Sequence, residues 1–163
     1  MISTDTVWSG EVAISEDVLV MPGAALTIKA GTTVTISPCE STQTQPEFLS
    51  PLTEITVRGS LVVNGSKSAP VKIVMAGSAS EPDWAGIYID GGSLTLNHTT
   101  ISGADTAVTV ISGKAEIASS AFKGNRHALI LMKPEATVRA ENSAFTGNDY
   151  GIVLLNGAKL EQV

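Results

Sequence analysis

Aromatic side chains are scarce: two Trp, two Tyr and three Phe make up 4% of the 163 residues, while 43% are hydrophobic. The apolar content is therefore Val, Ile, Leu and Ala, which excludes a wide core built around large rings and favours a narrow aliphatic interior. Charged residues are also few at 16%, but a chain this aliphatic lies far from the composition of disordered polypeptides. Ten Lys and Arg are scattered among sixteen Asp and Glu, giving a net charge of -6. A phosphate-binding surface needs concentrated cations, so nucleic acid is not an expected partner. No apolar run reaches the length of about 18 residues that a membrane span needs. The segment after Met1 lacks the basic-then-apolar pattern of a signal peptide, which leaves a cytoplasmic protein or a mature fragment with an added Met. Cys39 is the single cysteine, so no intrachain disulfide is available and the redox compartment stays open. The length suits one domain spanning 1–163.

What the chain does contain is a repeat. Gly103, Gly124 and Gly147 are separated by 21 and 23 residues, and each follows Ile101, Phe122 or Phe145 by two positions. The segments Ser-Ala-Phe-Lys-Gly-Asn and Ser-Ala-Phe-Thr-Gly-Asn are nearly identical. Each period carries apolar pulses that alternate with polar residues, the mark of strands with one buried face. The first pulse is Ile87/Ile89, Val108/Val110, Leu129/Leu131 and Ile152/Leu154. A second is Leu94/Leu96, Ala115/Ile117, Ala136/Val138 and Ala158/Leu160, and the third is the single residue Ile101, Phe122 or Phe145. Three strands per period predict a three-sided coil, with coils stacked about 4.8 Å apart so that each strand pairs in parallel with its counterparts above and below, forming three parallel sheets.

The first half repeats a two-pulse unit less regularly, Leu26/Ile28 then Val34/Ile36, and Ile55/Val57 then Leu61/Val63. Insertions at 37–52 and 76–83 account for the drift. The expected organisation is N-terminal coils over 1–36, a loop excursion over 37–52, and regular coils over 53–163 ending in an uncapped coil, about six coils in all. In these features the sequence resembles the right-handed parallel β-helix proteins, the pectate-lyase-like solenoids, most strongly from Gly86 to Leu160. Its opening Trp8-Ser-Gly-Glu-Val-Ala-Ile and the segments around Pro22-Gly23 and Ala30-Gly31 resemble the first coils of secreted bacterial members. The resemblance implies an all-β, right-handed, three-sided solenoid and an extracellular or cell-surface location; its members include lyases, hydrolases, adhesins and inert scaffolds.

Enzymes of that group remove a proton beside a uronate carboxylate or hydrolyse galacturonides, which requires a base beside a cation, or paired acids. Lys123, Arg126 and His127 form the nearest basic cluster and Asp83, Asp90 and Asp105 the nearest acidic one, with Asp90 and Asp105 expected on different sides of the coil. Neither matches a family motif, so no catalytic residue, metal ligand or cofactor is assigned. Asp105, Arg126 and Asp149 read as an exposed charge row, and Asn125 and Asn148 as an amide ladder or left-handed turn residues. Trp84, Tyr88, His127, Tyr150 and Arg126 are candidates for a polysaccharide surface. Outward Thr residues such as Thr56, Thr95 and Thr109 divide among strand columns, which breaks any flat ice-binding array.

The alternation fails on the first strand. If its paired aliphatics face inward, Ile111, Ile130, Met132, Val153 and Leu155 face out. Such a patch marks a contact surface for a protein partner or a second copy, unless residues 37–52 of the same chain cover it. The leading expectation is a non-catalytic structural or binding module, with a carbohydrate-active enzyme and a filament subunit stacking through open ends as alternatives.

Overall fold

The computed structural model describes residues 1–40, 47–77 and 83–162, and their backbone forms seventeen strands. They wind as a three-sided coil. The first side carries β3 (Val18–Val20), β6 (Glu54–Val57), the leading halves of β9 (Trp84–Asn97) and β11 (Ala104–Ala118), β13 (His127–Leu131) and β16 (Tyr150–Leu154). On the second lie β1 (Thr6–Trp8), β4 (Ala25–Lys29), β7 (Ser60–Asn64), the trailing halves of β9 and β11, β14 (Thr137–Glu141) and β17 (Lys159–Gln162). The third is β2 (Glu11–Ile14), β5 (Thr33–Ile36), β8 (Val71–Met75), β10 (Thr99–Ser102), β12 (Ala121–Lys123) and β15 (Ala144–Thr146). Every pairing between these strands is parallel.

The three sides form two hydrogen-bonded sheets rather than the expected three. β9 and β11 run unbroken round the corner, which merges the first and second sides into one 11-stranded sheet, while the third is a separate 6-stranded sheet. Glycine makes that corner possible. Gly113 has φ 96, and a Cβ there would lie 2.2 Å from the carbonyl oxygen of Gly92 in the preceding coil, so only a residue without a side chain lets the two coils nest.

Inside, like positions stack. Ile55, Ile87, Val108 and Leu129 form one buried column of the first side and Val57, Ile89, Val110 and Leu131 the next. On the third side Val34, Ile73, Ile101, Phe122 and Phe145 share a register position, and the two rings stack with centroids 5.0 Å apart.

Two register expectations are corrected. Ala115 and Ile117 pair with Val138 and Ala140, not with Ala136 and Val138. The turn Lys133-Pro134-Glu135 lengthens the path by two residues, and a slip of two leaves every side chain on its original face, so alternation alone does not reveal it. In the first half, Leu26/Ile28 pairs with Leu61/Val63 on the second side, whereas Val34/Ile36 lies on the third and Ile55/Val57 on the first. The two-pulse units therefore combine different sides, because the excursion at 37–52 interrupts the coil between the third side and the first. Of that excursion, Glu40 and Leu52 form an antiparallel bridge, and Thr53 Oγ1 accepts a hydrogen bond from Cys39 N at 3.0 Å. Residues 41–46, and residues 78–82 of the second excursion, lie outside the described residues.

Side-chain ladders lock the corners. Ser120 Oγ accepts from Thr99 N and Ser143 Oγ from Ser120 N, each at 3.1 Å. Asn125 Oδ1 accepts from Ala104 N, and Asn148 Oδ1 accepts from both Asn125 N and Asn125 Nδ2, all at 3.0 Å. Asn125 Nδ2 also donates to Ile101 O, and Asn148 Nδ2 to Phe122 O. Of the two readings of these Asn residues, the amide ladder holds, and Gly124 and Gly147 before them take the left-handed conformation at φ 66 and 65.

Candidate functional site

The outward residues of the first side form two rows. By register the first is Leu19, Thr56, Tyr88, Thr109, Ile130 and Val153. Arg58, Asp90, Met132 and Leu155 follow at the strand ends. After the buried Leu19, the rows are polar or paired through Thr56, Tyr88 and Thr109: Arg58 Nε and Asp90 Oδ2 form an ion pair at 2.9 Å. In the last coils they become aliphatic, and there Ile111, Ile130, Met132 and Val153 are partly exposed and Leu155 is 40% exposed. Ile111 sits at a register irregularity, since Ser112 rather than Ile111 pairs with Asp90.

A cleft of about 370 Å³ opens on this face. Ile111, Ile130, Met132 and Leu155 line it with Tyr88, Asp105, Thr106, Thr109 and Leu49. Four of the five residues expected to form an interface therefore meet in one depression, and the fifth, Val153, is the register partner of Ile130. Leu49 comes from the excursion, so the chain itself covers part of the face. Thr56 and Thr109 point outward, yet are only 5% and 4% exposed.

The excursion is held there by Glu54. Its carboxylate accepts from Leu49 N at 3.2 and 3.0 Å, from Ser50 N at 2.7 Å and from Thr56 Oγ1 at 2.8 Å. Glu54 N in turn donates to Asp17 Oδ1 at 2.9 Å. Glu54 is 2% exposed. Burial holds its carboxyl above the usual 4.5, a shift that the three donors oppose and nearby Asp17 reinforces. Burial likewise raises the Tyr88 hydroxyl, helped by the charges of Glu54 and Asp105 and opposed by a hydrogen bond with the Ser50 side chain. Neither Glu54 nor Leu49 stood out in the sequence, because a Glu closing a polar excursion looks like any solvated loop residue. The one available signal was its position directly before the inward pair Ile55/Val57.

The residues considered for a polysaccharide surface do not form one platform. Trp84 is a core residue at 0% exposure, and its indole N–H donates to Ser102 O at 3.2 Å. It pairs in register with Ala104. Tyr88 lies in the aliphatic cleft. His127 and Tyr150 stack with ring centroids 4.9 Å apart at the start of the first side, and Tyr150 is 56% exposed. Arg126 pairs with Asp105 at 3.2 Å. Asp90 and Asp105 sit at opposite ends of the same side rather than on different sides, and each faces an Arg. Lys123 is exposed on the third side, apart from His127 on the first.

Residues 85–161 match the family model described as the right handed beta helix region. The chain is a right-handed parallel β-helix. The match covers the regular coils that carry the repeat and most of the aliphatic face. Comparison with curated proteins and with solved structures gives no match.

Proposed function

We propose that this β-helix is a non-catalytic structural module of a secreted or cell-surface protein, and that its first-side face docks a second copy of the chain. The observation that carries the reading is the change of that face from polar to aliphatic in the coils bearing Ile130, Met132, Val153 and Leu155. A second copy suits it because side-chain rows on stacked parallel strands recur about every 4.8 Å, so two identical faces share one spacing and can interdigitate as packed sheets do. Two-fold pairing of one patch with itself also closes the assembly. Two of the acids nominated for chemistry, Asp90 and Asp105, are each ion-paired with an Arg, which supports the non-catalytic side of the reading.

The patch has five aliphatic residues, against roughly 20–30 residues a side in a stable interface, so the association is expected to be weak. Sedimentation velocity from about 1 μM to about 1 mM should show a concentration-dependent dimer. Ile130→Asp combined with Val153→Asp should remove the dimer while leaving the circular dichroism of the β-helix unchanged. A wild type that stays monomeric over the whole range overturns the reading. The exposed His127–Tyr150 stack favours one alternative, an acidic polysaccharide as ligand or substrate. Incubation with uronate polymers distinguishes it, with ultraviolet absorbance of unsaturated products reporting elimination, reducing-end release reporting hydrolysis, and retardation in affinity electrophoresis reporting binding.

A further inference from the structure

We infer that residues 47–53 act as a strap that occludes one end of the docking face, and that the Glu54 carboxylate is the clamp that holds the strap closed. The inference rests on the docking reading and adds its regulation.

Three observations carry it. Leu49 lines the same cleft as Ile111, Ile130, Met132 and Leu155, so a strap residue occupies space that an incoming aliphatic side chain would use. The hold on the strap is polar rather than apolar. Phe48 and Leu49 are 38% and 42% exposed, too open for burial to fix the segment, whereas the backbone amides of Leu49 and Ser50 both end on Glu54. The clamp uses both carboxylate oxygens: Oε2 takes Leu49 N and Ser50 N, and Oε1 takes Leu49 N and Thr56 Oγ1. A side-chain amide has one acceptor oxygen and no charge, so Glu54→Gln loses the Oε1 acceptor and holds the two strap amides only by weaker neutral bonds.

Val153, the register partner of Ile130, lies outside the cleft that Leu49 lines. The closed strap thus leaves a short docking surface, and release would lengthen it toward Tyr88 and Thr109. The segment is tethered at its far end by Thr53, whose hydroxyl donates to Ser37 O at 3.2 Å and whose side chain is buried. Leu52 is held as well, by its bridge to Glu40, so opening means a local swing of the residues around Leu49 and Ser50, with the coils unchanged.

Amide hydrogen exchange and titration with the neutral apolar dye Nile red test this on the intact chain. In Glu54→Gln, exchange at Leu49 and Ser50 should rise by about tenfold, the loss expected when hydrogen bonds to a charged acceptor become bonds to a neutral one. Core amides such as Val108 and Leu129 should not change. Nile red should bind about threefold more tightly to Glu54→Gln and to Leu49→Gly, because the occluding conformer no longer competes. Adding Met132→Asp to either variant should abolish the gain. Unchanged exchange at Leu49 and Ser50 in Glu54→Gln, or unchanged dye affinity in Leu49→Gly, overturns the strap. Should Glu54→Gln disturb the core amides as well, Leu49→Gly leaves the clamp in place and decides the question by dye affinity alone. Dye binding that is insensitive to Met132→Asp in every background instead overturns the docking face, while the exchange result still reports on the clamp.

Discussion

At the scale of single residues, Glu54 shows how burial and hydrogen bonding pull against each other. Burial raises its carboxyl above 4.5 despite the donors that favour the charged form, so the folded state binds a proton more readily than the unfolded chain does. The contribution to stability is then fully present below 4.5 and is lost as pH rises through the raised native value. Urea midpoints for the wild type should carry this fall with rising pH, and the Glu54→Gln midpoints should lack that component. Asp17 and Tyr88 are its ionisable neighbours. Asn125 is the corresponding residue of the opposite kind, neutral and buried, with its Oδ1 and Nδ2 bonded to backbone and to Asn148. The Gly-Asn repeat made it visible in the sequence. Glu54 escaped notice because its partners are backbone amides of an irregular segment, which leave no periodic trace. Trp84 was misplaced for a related reason: its indole is buried and bonded to Ser102 O in the next coil, a neighbour set by register rather than by local pattern.

At the scale of elements, the inward columns are the most predictable part of the fold. Phe122 fills the third side between Ile101 and Phe145 and stacks on the latter. Phe122→Ala should cost about 3–5 kcal/mol, the range for emptying a buried aromatic site, measured by chemical denaturation. The period-2 pattern identified these strands and their inward faces correctly, yet it gave the second side of the last coils a register two residues off. A turn can take up two extra residues without turning any side chain outward, so face and register are specified by different parts of the sequence. Corners carry the register, and the continuous bend of β9 and β11 through Gly91, Gly92 and Gly113 was not evident from alternation, because the strands on either side read as separate pulses. Gly113→Ala should lower stability sharply, since the added methyl meets the Gly92 carbonyl at 2.2 Å and the backbone there sits at positive φ. A thermal melt compared with Gly157→Ala, where a Cβ meets nothing within 4 Å, separates steric closure from strain of the backbone alone.

At the scale of the whole molecule, the coil is regular inside and irregular outside, and its specific features lie where regularity breaks. The excursion before β6 reaches over the first side as far as the cleft lined by the aliphatic rows. Composition pointed to this division: a chain poor in aromatics but rich in aliphatics fills a thin interior and has some left over, at Ile111, Ile130, Met132, Val153 and Leu155. Which surplus residues meet in one cleft, and that Leu49 joins them, follows only from the three-dimensional path of the excursion.

The corner ladders give the molecule a direction. Thr99 and Ser120 offer backbone amides that are satisfied by hydroxyls one coil later, and Ala104 and Asn125 offer amides satisfied by side-chain amide oxygens one coil later. Each coil is thus completed by its successor, and damage should travel against the direction of the chain. In Asn148→Ala the residue that loses hydrogen-exchange protection should be Asn125, a full coil upstream, while the amides of β16 beside the substitution keep theirs. Any coil carrying Ser and Asn at these two positions should seat on its predecessor whatever its outer residues are, so the surface of this β-helix can diversify coil by coil without renegotiating its stacking.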